Sequence, residues 1–385
     1  MKIVCAESVL YGKEAFSTLG DVRVIPDRKI GPADVRDADA LVVRSKTRAD
    51  RALLQGSRVA FVGTATAGYD HLDTEWLSSA GIAWRSAPGC NADSVAEYVT
   101  AALLCLARRH AFRLEGRTLG VVGVGQVGRR VVQKADALGL RVLQNDPPRR
   151  IAEGAPELIE LDDVLARADA LSLHVPLTDS GPFATRRMAD ARLFARMKPG
   201  AVFINASRGE VVDEDDLRLA IERGQIAHAV LDVWENEPRW NAGLMRLAEL
   251  GTPHIAGYSY DGKLKGTEMI YQEACRFFEA APAWDPAPLR PPPAVPVVRL
   301  DPTGLDDEEA LWAVVRRVYD IEADDRALRE GPADDASRAE RFERLRRNYP
   351  ERREFPNTVV RLTAPAPPLQ RKLEGLGFRV AASDG

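Results

Sequence analysis

Between Gly123 and Gly128 the chain reads Gly-Val-Gly-Gln-Val-Gly, placed between an apolar run from Thr118 to Val124 and a helical stretch from Val127 to Leu138. GxGxxG alone says little in a chain with 29 glycines, but few such motifs join a strand to a helix. Here Gly123 can make the tight turn, Gly125 lets a pyrophosphate approach the backbone, and Gly128 allows close helix–strand packing. The helix start offers unpaired N–H groups and a positive dipole end to phosphates. Asp146 closes the next strand, Leu140 to Asn145, 18 residues beyond Gly128. A carboxylate there accepts both ribose hydroxyls and repels a 2′-phosphate. The pattern predicts a dinucleotide-binding domain with NAD as cofactor rather than NADP, a preference that Arg149 and Arg150 slightly weaken.

The same alternation extends in both directions. Strands are predicted at Lys2 to Cys5, Val22 to Ile25, Ala40 to Val43 and Val59 to Gly63, with helices at Gly12 to Leu19 and Arg48 to Leu54. This βαβ order implies a parallel sheet. A long helix, Ala92 to Phe112, follows with Asn91 as its N-cap. Further strands lie at Ala170 to His174, Ala201 to Asn205 and Ala229 to Val233, and helices at Leu161 to Arg167, Ala189 to Met197 and Glu214 to Glu222. Seven prolines between Pro282 and Pro296 read as a stiff, extended linker. Behind it, strands at Val297 to Leu300, Thr358 to Leu362 and Phe378 to Ala382 and helices at Asp306 to Tyr319, Ser337 to Asn348 and Pro367 to Leu376 make a small α+β domain. The fold class is therefore α/β, two Rossmann-like parallel-sheet domains plus that small C-terminal domain.

Composition excludes several functions. The 53 basic and 57 acidic side chains leave a net charge of −4, which argues against a nucleic-acid partner. The most apolar stretch, Tyr98 to Ala107, is half the ~20 residues a membrane helix needs. The N-terminus reaches Glu7 too soon for a signal peptide. Cys5, Cys90, Cys105 and Cys275 form no CxxC pair, so no metal site is expected and reduced thiols in the cytoplasm are.

Three segments place polar residues at predicted strand ends. Arg208 follows Asn205-Ala206-Ser207, Glu237 lies in Asp232 to Pro238, and His254 lies in Thr252 to Gly257. A guanidinium can grip a carboxylate or polarise a ketone, an imidazole can take a hydroxyl proton as hydride leaves, and a carboxylate can orient that imidazole. Singly, each has an ordinary reading as a surface ion pair, a helix start or a satisfied core histidine. Together beside a nucleotide fold they predict a hydroxy-acid dehydrogenase. Of the five histidines, His71 reads as loop support, His110 as solvated or interfacial, and His228 as part of a polar turn ahead of a strand. His174 ends a strand where it can touch cofactor. The loop Gly63 to Gly68, with Thr66 and Ala67, and the run Arg44-Ser45-Lys46 suit an anionic group of a small substrate, or are a plain turn and two solvated cations.

The stretches GVGQVG, LHVPLT, INASRGEVVDEDDL, LDVWENEP and TPHIAGY resemble the D-isomer-specific 2-hydroxyacid dehydrogenase family. The resemblance implies a discontinuous substrate-binding domain, residues 1–92 and 257–281, around an NAD-binding domain, 93–256, ahead of the linker 282–296. It implies that Arg208, Glu237 and His254 are the substrate arginine, the orienting glutamate and the acid/base. Gln126 and Val127 fall on the phosphate turn, and Ala206, Ser207, Asp232 (near the nicotinamide carboxamide) and Gly257 on the cofactor.

VRSKT, FVGTATAGYDHLD, APGCNADSVAEYV, NDPPR, GTPHIAGYSYDGKLKGT, RVYDIEADD and NYPERREF resemble one branch of that family over the whole chain. This implies oxidation of 4-phospho-D-erythronate to 2-oxo-3-hydroxy-4-phosphobutanoate on the route to pyridoxal 5′-phosphate, with Ser45, Thr66 and Tyr258 on the substrate. Residues 297–385 would then form a dimerisation domain, making a homodimer. Departures are Val175 for threonine, which removes a cofactor hydrogen bond, Ser207 for cysteine, and Thr185-Arg186-Arg187-Met188. A 3-phosphoglycerate or glyoxylate/hydroxypyruvate enzyme and a non-catalytic NAD sensor are the alternatives. From Arg338 to Arg353 seven arginines face three glutamates, which suits a solvated or dimer-facing helix; one further idea is that Arg346, Arg347 or Arg353 reaches the substrate phosphate of the partner subunit.

Overall fold

The structure, a computed structural model, describes residues 1–330 and 334–381. The chain divides into two units, Met1–Asn91 with Ser259–Pro291, and Ala92–Tyr258 with the segment from Pro292 onward.

The first unit is built on β1 (Lys2–Ala6), β2 (Asp21–Ile25), β3 (Ala40–Val43), β4 (Phe61–Thr64) and β5 (Ala83–Arg85), all parallel in the order β2-β1-β3-β4-β5. β3 and β4 are buried at every residue, as central strands of a parallel sheet covered on both faces are. The predicted helices are shorter than expected, Gly12–Phe16 and Arg51–Leu54. Sequence reading missed β5 and the helices Pro32–Val35 and Thr74–Ser79.

It also missed the unit's longest helix, Tyr260–Phe277, capped by Ser259 Oγ on the Gly262 N–H at 2.9 Å. Gly262 and Gly266 argue against a helix by propensity. They are there for packing: a Cβ on Gly266 would lie 2.7 Å from the Ala65 carbonyl oxygen, and one on Gly262 3.2 Å from Cys90 O. The proline run is not a uniformly extended rod. It makes a 3-10 turn, Ala287–Leu289, whose Leu289 carbonyl accepts from Tyr260 OH at 2.7 Å and Tyr11 OH at 3.3 Å.

The second unit carries β6 (Thr118–Val122), β7 (Arg141–Asn145), β8 (Ala170–Leu173), β9 (Ala201–Asn205), β10 (Ile226–Leu231) and β11 (Leu250–Gly251), parallel in the order β11-β10-β9-β8-β6-β7. The order reverses at β6 and β8, which opens a crevice at their carboxyl ends. β10 starts at Ile226, so His228 lies within the strand and not in a turn before it. The helix Ala92–Arg109 is buried from Ser94 to Ala107, which accounts for its apolar run. Its expected cap is not formed, since Asn91 Oδ1 makes no hydrogen bond.

The C-terminal segment adds a separate three-stranded parallel sheet, β12 (Val297–Leu300), β13 (Val359–Leu362) and β14 (Arg379–Ala381). Ala382, the expected end of the last strand, lies outside the described residues. The helix Ile321–Arg329 was not foreseen. This segment packs on the nucleotide sheet's helices: both Glu308 carboxylate oxygens accept from Leu114 N at 2.9 and 3.0 Å, and Lys134 Nζ donates to Leu376 O at 2.6 Å. All four cysteines are free and buried, and burial pushes the Cys5 and Cys105 thiols up to about 12. Among the described residues no helix is long and apolar enough to cross a membrane.

Candidate active site

At the end of β6, Gly123 has φ +85°, and a Cβ there would lie 2.7 Å from the His174 carbonyl carbon. Only glycine fits that turn. A Cβ on Gly128 would lie 2.1 Å from Gly123 O, so the helix Gln126–Ala137, which begins with Gln126 and Val127, closes directly on the turn. At Gly125 nothing lies within 4 Å of the Cβ position, leaving the backbone open to a ligand. Asp146 Oδ2 accepts from Val124 N at 2.9 Å, and Oδ1 caps the unforeseen helix Pro147–Glu153 through Arg149 N at 3.1 Å. Arg149 turns its guanidinium to the Val124 carbonyl (2.6 Å) and to Glu153 (2.8 Å).

His174, followed by Val175, comes directly after β8. Its Nε2 meets Ser172 Oγ at 2.9 Å while its Nδ1 is buried without a partner. Burial pushes its pKa down to about 4, so the ring is neutral at pH 7. An open glycine turn, a helix N-terminus, a carboxylate at the end of the next strand and an orphaned ring nitrogen together fit a dinucleotide.

Beyond β9, Asn205 Oδ1 accepts from Ser207 N (3.0 Å) and Oγ (2.7 Å), Asn205 Nδ2 donates to Arg208 O at 2.9 Å, and Arg208 Nη1 donates to Ser207 O at 2.7 Å. Asn205 thus shapes the turn Ala206-Ser207-Arg208, a role the sequence reading did not assign it. Gly209 brings that turn onto the next loop, since a Cβ there would lie 2.0 Å from the carbonyl group of Trp234.

In that next loop, after β10, Glu237 Oε1 accepts from Trp234 N at 3.1 Å and Oε2 meets His254 Nδ1 at 2.7 Å. Burial pushes the Glu237 pKa up, but the facing His254, then Arg346 and the Trp234 N–H, outweigh it and hold the carboxyl below its ordinary value. His254 sits at φ +55°, a left-handed conformation that a non-glycine residue holds only under constraint. Asp232 supplies the constraint. Its carbonyl accepts from His254 N at 2.7 Å, its Oδ1 from Thr252 Oγ1 (2.7 Å) and Ile255 N (2.8 Å), and its Oδ2 from Ala256 N at 2.9 Å. The carboxylate expected near the nicotinamide is therefore engaged in shaping the His254 loop, which runs on through Gly257 to Tyr258.

Three C-terminal residues hold the same loop; the stretches RVYDIEADD and NYPERREF that contain them carried the resemblance but gave them no role. Asp325 Oδ1 accepts from Gly251 N at 2.7 Å, Arg352 Nη2 donates to Ala256 O at 2.7 Å, and Tyr349 packs edge-on against Tyr258 at 6.0 Å.

In the first unit, Ser45 lies in the turn after β3. Thr66 Oγ1 meets Thr64 Oγ1 at 2.7 Å and donates to Gly68 O at 2.8 Å, with Ala67 between, while His71 Nε2 braces Thr64 at 2.8 Å. His110 and His228 stack at 3.8 Å with Glu249 Oε2 3.2 and 3.6 Å from them, a grouping that sequence spacing did not suggest. One nitrogen of each ring and a Glu249 oxygen lie within 4.8 Å of one another, but Arg109 Nη1 already holds Glu249 Oε1 at 3.0 Å, so we read the grouping as a charge cluster.

A parallel sheet with a dinucleotide turn, and a histidine–glutamate pair at the end of the same sheet, define a nicotinamide-dependent dehydrogenase. The family described as D-isomer specific 2-hydroxyacid dehydrogenase, NAD binding domain, matches residues 101–256, and a domain of unknown function matches 291–377. The chain is 44% identical to an erythronate-4-phosphate dehydrogenase of Cronobacter sakazakii, covering 98% of both chains, and 44% identical to one of Chromohalobacter salexigens, covering 100% of both. It also resembles a D-lactate dehydrogenase from Aquifex aeolicus solved with NAD and lactic acid, at 26% identity and TM-score 0.60, over 72% of this chain and 95% of that one. The chain belongs to the D-isomer specific 2-hydroxyacid dehydrogenase family, within the branch of the erythronate-4-phosphate dehydrogenases. It is an NAD-dependent oxidoreductase acting on CH–OH groups.

Proposed function

We propose that the chain oxidises 4-phospho-D-erythronate at C2 to 2-oxo-3-hydroxy-4-phosphobutanoate, on the route to pyridoxal 5′-phosphate. The observation that carries this reading is likeness over the full length to named erythronate-4-phosphate dehydrogenases, C-terminal segment included. NAD, when bound, supplies the hydride acceptor. Gly123, Gly125, Gln126, Val127, Gly128 and Asp146 hold its pyrophosphate and adenosine ribose, and His174, Val175, Ala206, Ser207, Asp232 and Gly257 line the remainder. Arg208 grips the substrate carboxylate and polarises the C2 oxygen. His254, with Nδ1 held by Glu237 at 2.7 Å, takes the C2 hydroxyl proton on Nε2, and Glu237 balances the imidazolium. Tyr258 contacts the substrate. Ser45, Thr66 and Ala67 are assigned as substrate contacts on family resemblance and loop chemistry alone.

We further read residues 1–92 with 257–281 as the substrate-binding domain, 93–256 as the NAD-binding domain, 282–296 as the linker, and 297–385 as the dimerisation domain of a cytoplasmic homodimer. NAD reduction measured with 4-phospho-D-erythronate, 3-phosphoglycerate and D-lactate tests the substrate. The first should give the highest kcat/KM, and a higher value for either of the others overturns the assignment.

A further inference from the structure

The arginines between Arg338 and Arg353 have separate destinations. Arg341 Nε donates to Ala327 O at 2.8 Å, Arg352 to Ala256 O, and Arg353 Nη2 to Asn357 Oδ1 at 2.6 Å, while Arg338 lies over the Trp240 ring. Arg344 and Arg347 are exposed. Arg346, in the last turn of the helix Asp335–Arg347, goes to the catalytic loop instead. Its guanidinium carbon lies 5.5 Å from the Tyr258 ring centroid and 5.7 Å from that of Phe342, and its charge is one of those acting on Glu237.

Tyr258 is four residues beyond His254, and Glu237 is bonded to that histidine. The guanidinium thus packs on the loop that carries the acid/base, and its charge acts on the carboxylate that orients it. Glu237 has both oxygens engaged, by His254 and Trp234, and Arg346 Nε is buried with no hydrogen-bond partner. Tyr258 hydrogen-bonds the same guanidinium and the Glu343 charge acts on it, yet its Nε stays open. A guanidinium cannot shed its proton and a buried open donor is costly, so that edge is suited to an anion that arrives from outside. With Arg208 assigned to the carboxylate, the other anionic end of a phosphorylated hydroxy acid is the fitting ligand.

We propose that Arg346 of the same chain binds the phosphate monoester of the substrate. The proposal rests on the substrate reading above and differs from the idea of a tail arginine reaching across to a second subunit in placing the contact within one chain. A planar guanidinium can meet two phosphate oxygens at once, and without that phosphate its Nε stays unpaired, so it discriminates as well as binds.

The test compares kcat/KM for 4-phospho-D-erythronate with that for unphosphorylated D-erythronate, in wild type, Arg346→Ala and Arg346→Lys. The wild type should favour the phosphorylated acid. Arg346→Ala should lower that preference on the order of 10- to 100-fold, through KM more than kcat, and Arg346→Lys should recover part of it. Thermal melts and NAD titration establish that the variants are folded; should Arg346→Ala not fold, Arg346→Lys carries the test, with the preference lowered several-fold. An unchanged preference in a folded variant overturns the proposal and leaves the substrate reading standing. A wild type that does not favour the phosphorylated acid overturns the substrate reading and the proposal with it.

Discussion

Arg352 Nη2 donates to the carbonyl oxygen of Ala256 at 2.7 Å, joining positions 96 residues apart across the loop that carries His254. The same guanidinium bonds Ser94 Oγ and lies 4.1 Å from the Tyr319 ring centroid. Arg352→Ala removes these charged hydrogen bonds together. Denaturant unfolding should lose about 2–3 kcal/mol and kcat should fall at least about tenfold. A folded variant with wild-type kcat would mean that Asp232 and Asp325 suffice to shape the loop.

Glu237→Gln keeps a hydrogen-bonding side chain opposite His254 but removes the charge. Turnover at pH 7 should fall by about 10²-fold or more, measured as NAD reduction. The substitution also has a pH signature. The Glu237 pKa is depressed in the folded state, so its contribution to stability is present above the unfolded carboxyl value and is lost as pH falls through the folded one. Acid unfolding below about pH 4.5 should therefore be shallower in the variant; an identical acid limb would mean that the folded state does not depress this carboxyl.

Gly209→Ala puts a methyl group where the Trp234 carbonyl already lies, 2.0 Å from the new carbon. Two backbones must then separate, at a cost of about 1–3 kcal/mol. The loops bearing Arg208 and Glu237 part with them, so kcat/KM should fall together with the melting temperature. A variant with an unchanged melting temperature would show that the turn relaxes freely.

Asp146→Asn separates two roles of one side chain, since an amide oxygen can still accept from Val124 N or Arg149 N but no longer repels a 2′-phosphate. The NADP-to-NAD ratio of kcat/KM should rise by about tenfold or more. No rise would assign the discrimination to another group, with Arg149 the first to examine.

The elements that set the nucleotide site were legible because their signals are local: Gly123 to Gly128 between a strand and a helix, and Asp146 closing the next strand. The pairing of Glu237 with His254 was legible from side-chain chemistry at successive strand ends. The helix Tyr260–Phe277 was not, because Gly262 and Gly266 look like interruptions until the backbone they pack against is known. Asp325 and Arg352 were invisible as site residues for a related reason, and Arg346 was singled out only as one of three arginines reaching toward a partner subunit. Each acts on a partner tens of residues away in sequence, and an arginine-rich helix reads first as a solvated one. Asp232 was assigned to the cofactor by resemblance, and its hydrogen bonds to the His254 loop are a further role that no local signal announced.

The fastening of that loop by Asp325 and Arg352 sets an order on biosynthesis. The six strands of the nucleotide sheet emerge from the ribosome before the residues that hold Gly251 and Ala256 exist. The sheet can assemble early while the proton-transfer loop waits for the last part of the chain. A translation product stopped at the proline run would therefore keep Asp232 against the His254 loop but lack the fastenings at Gly251 and Ala256 that the tail supplies.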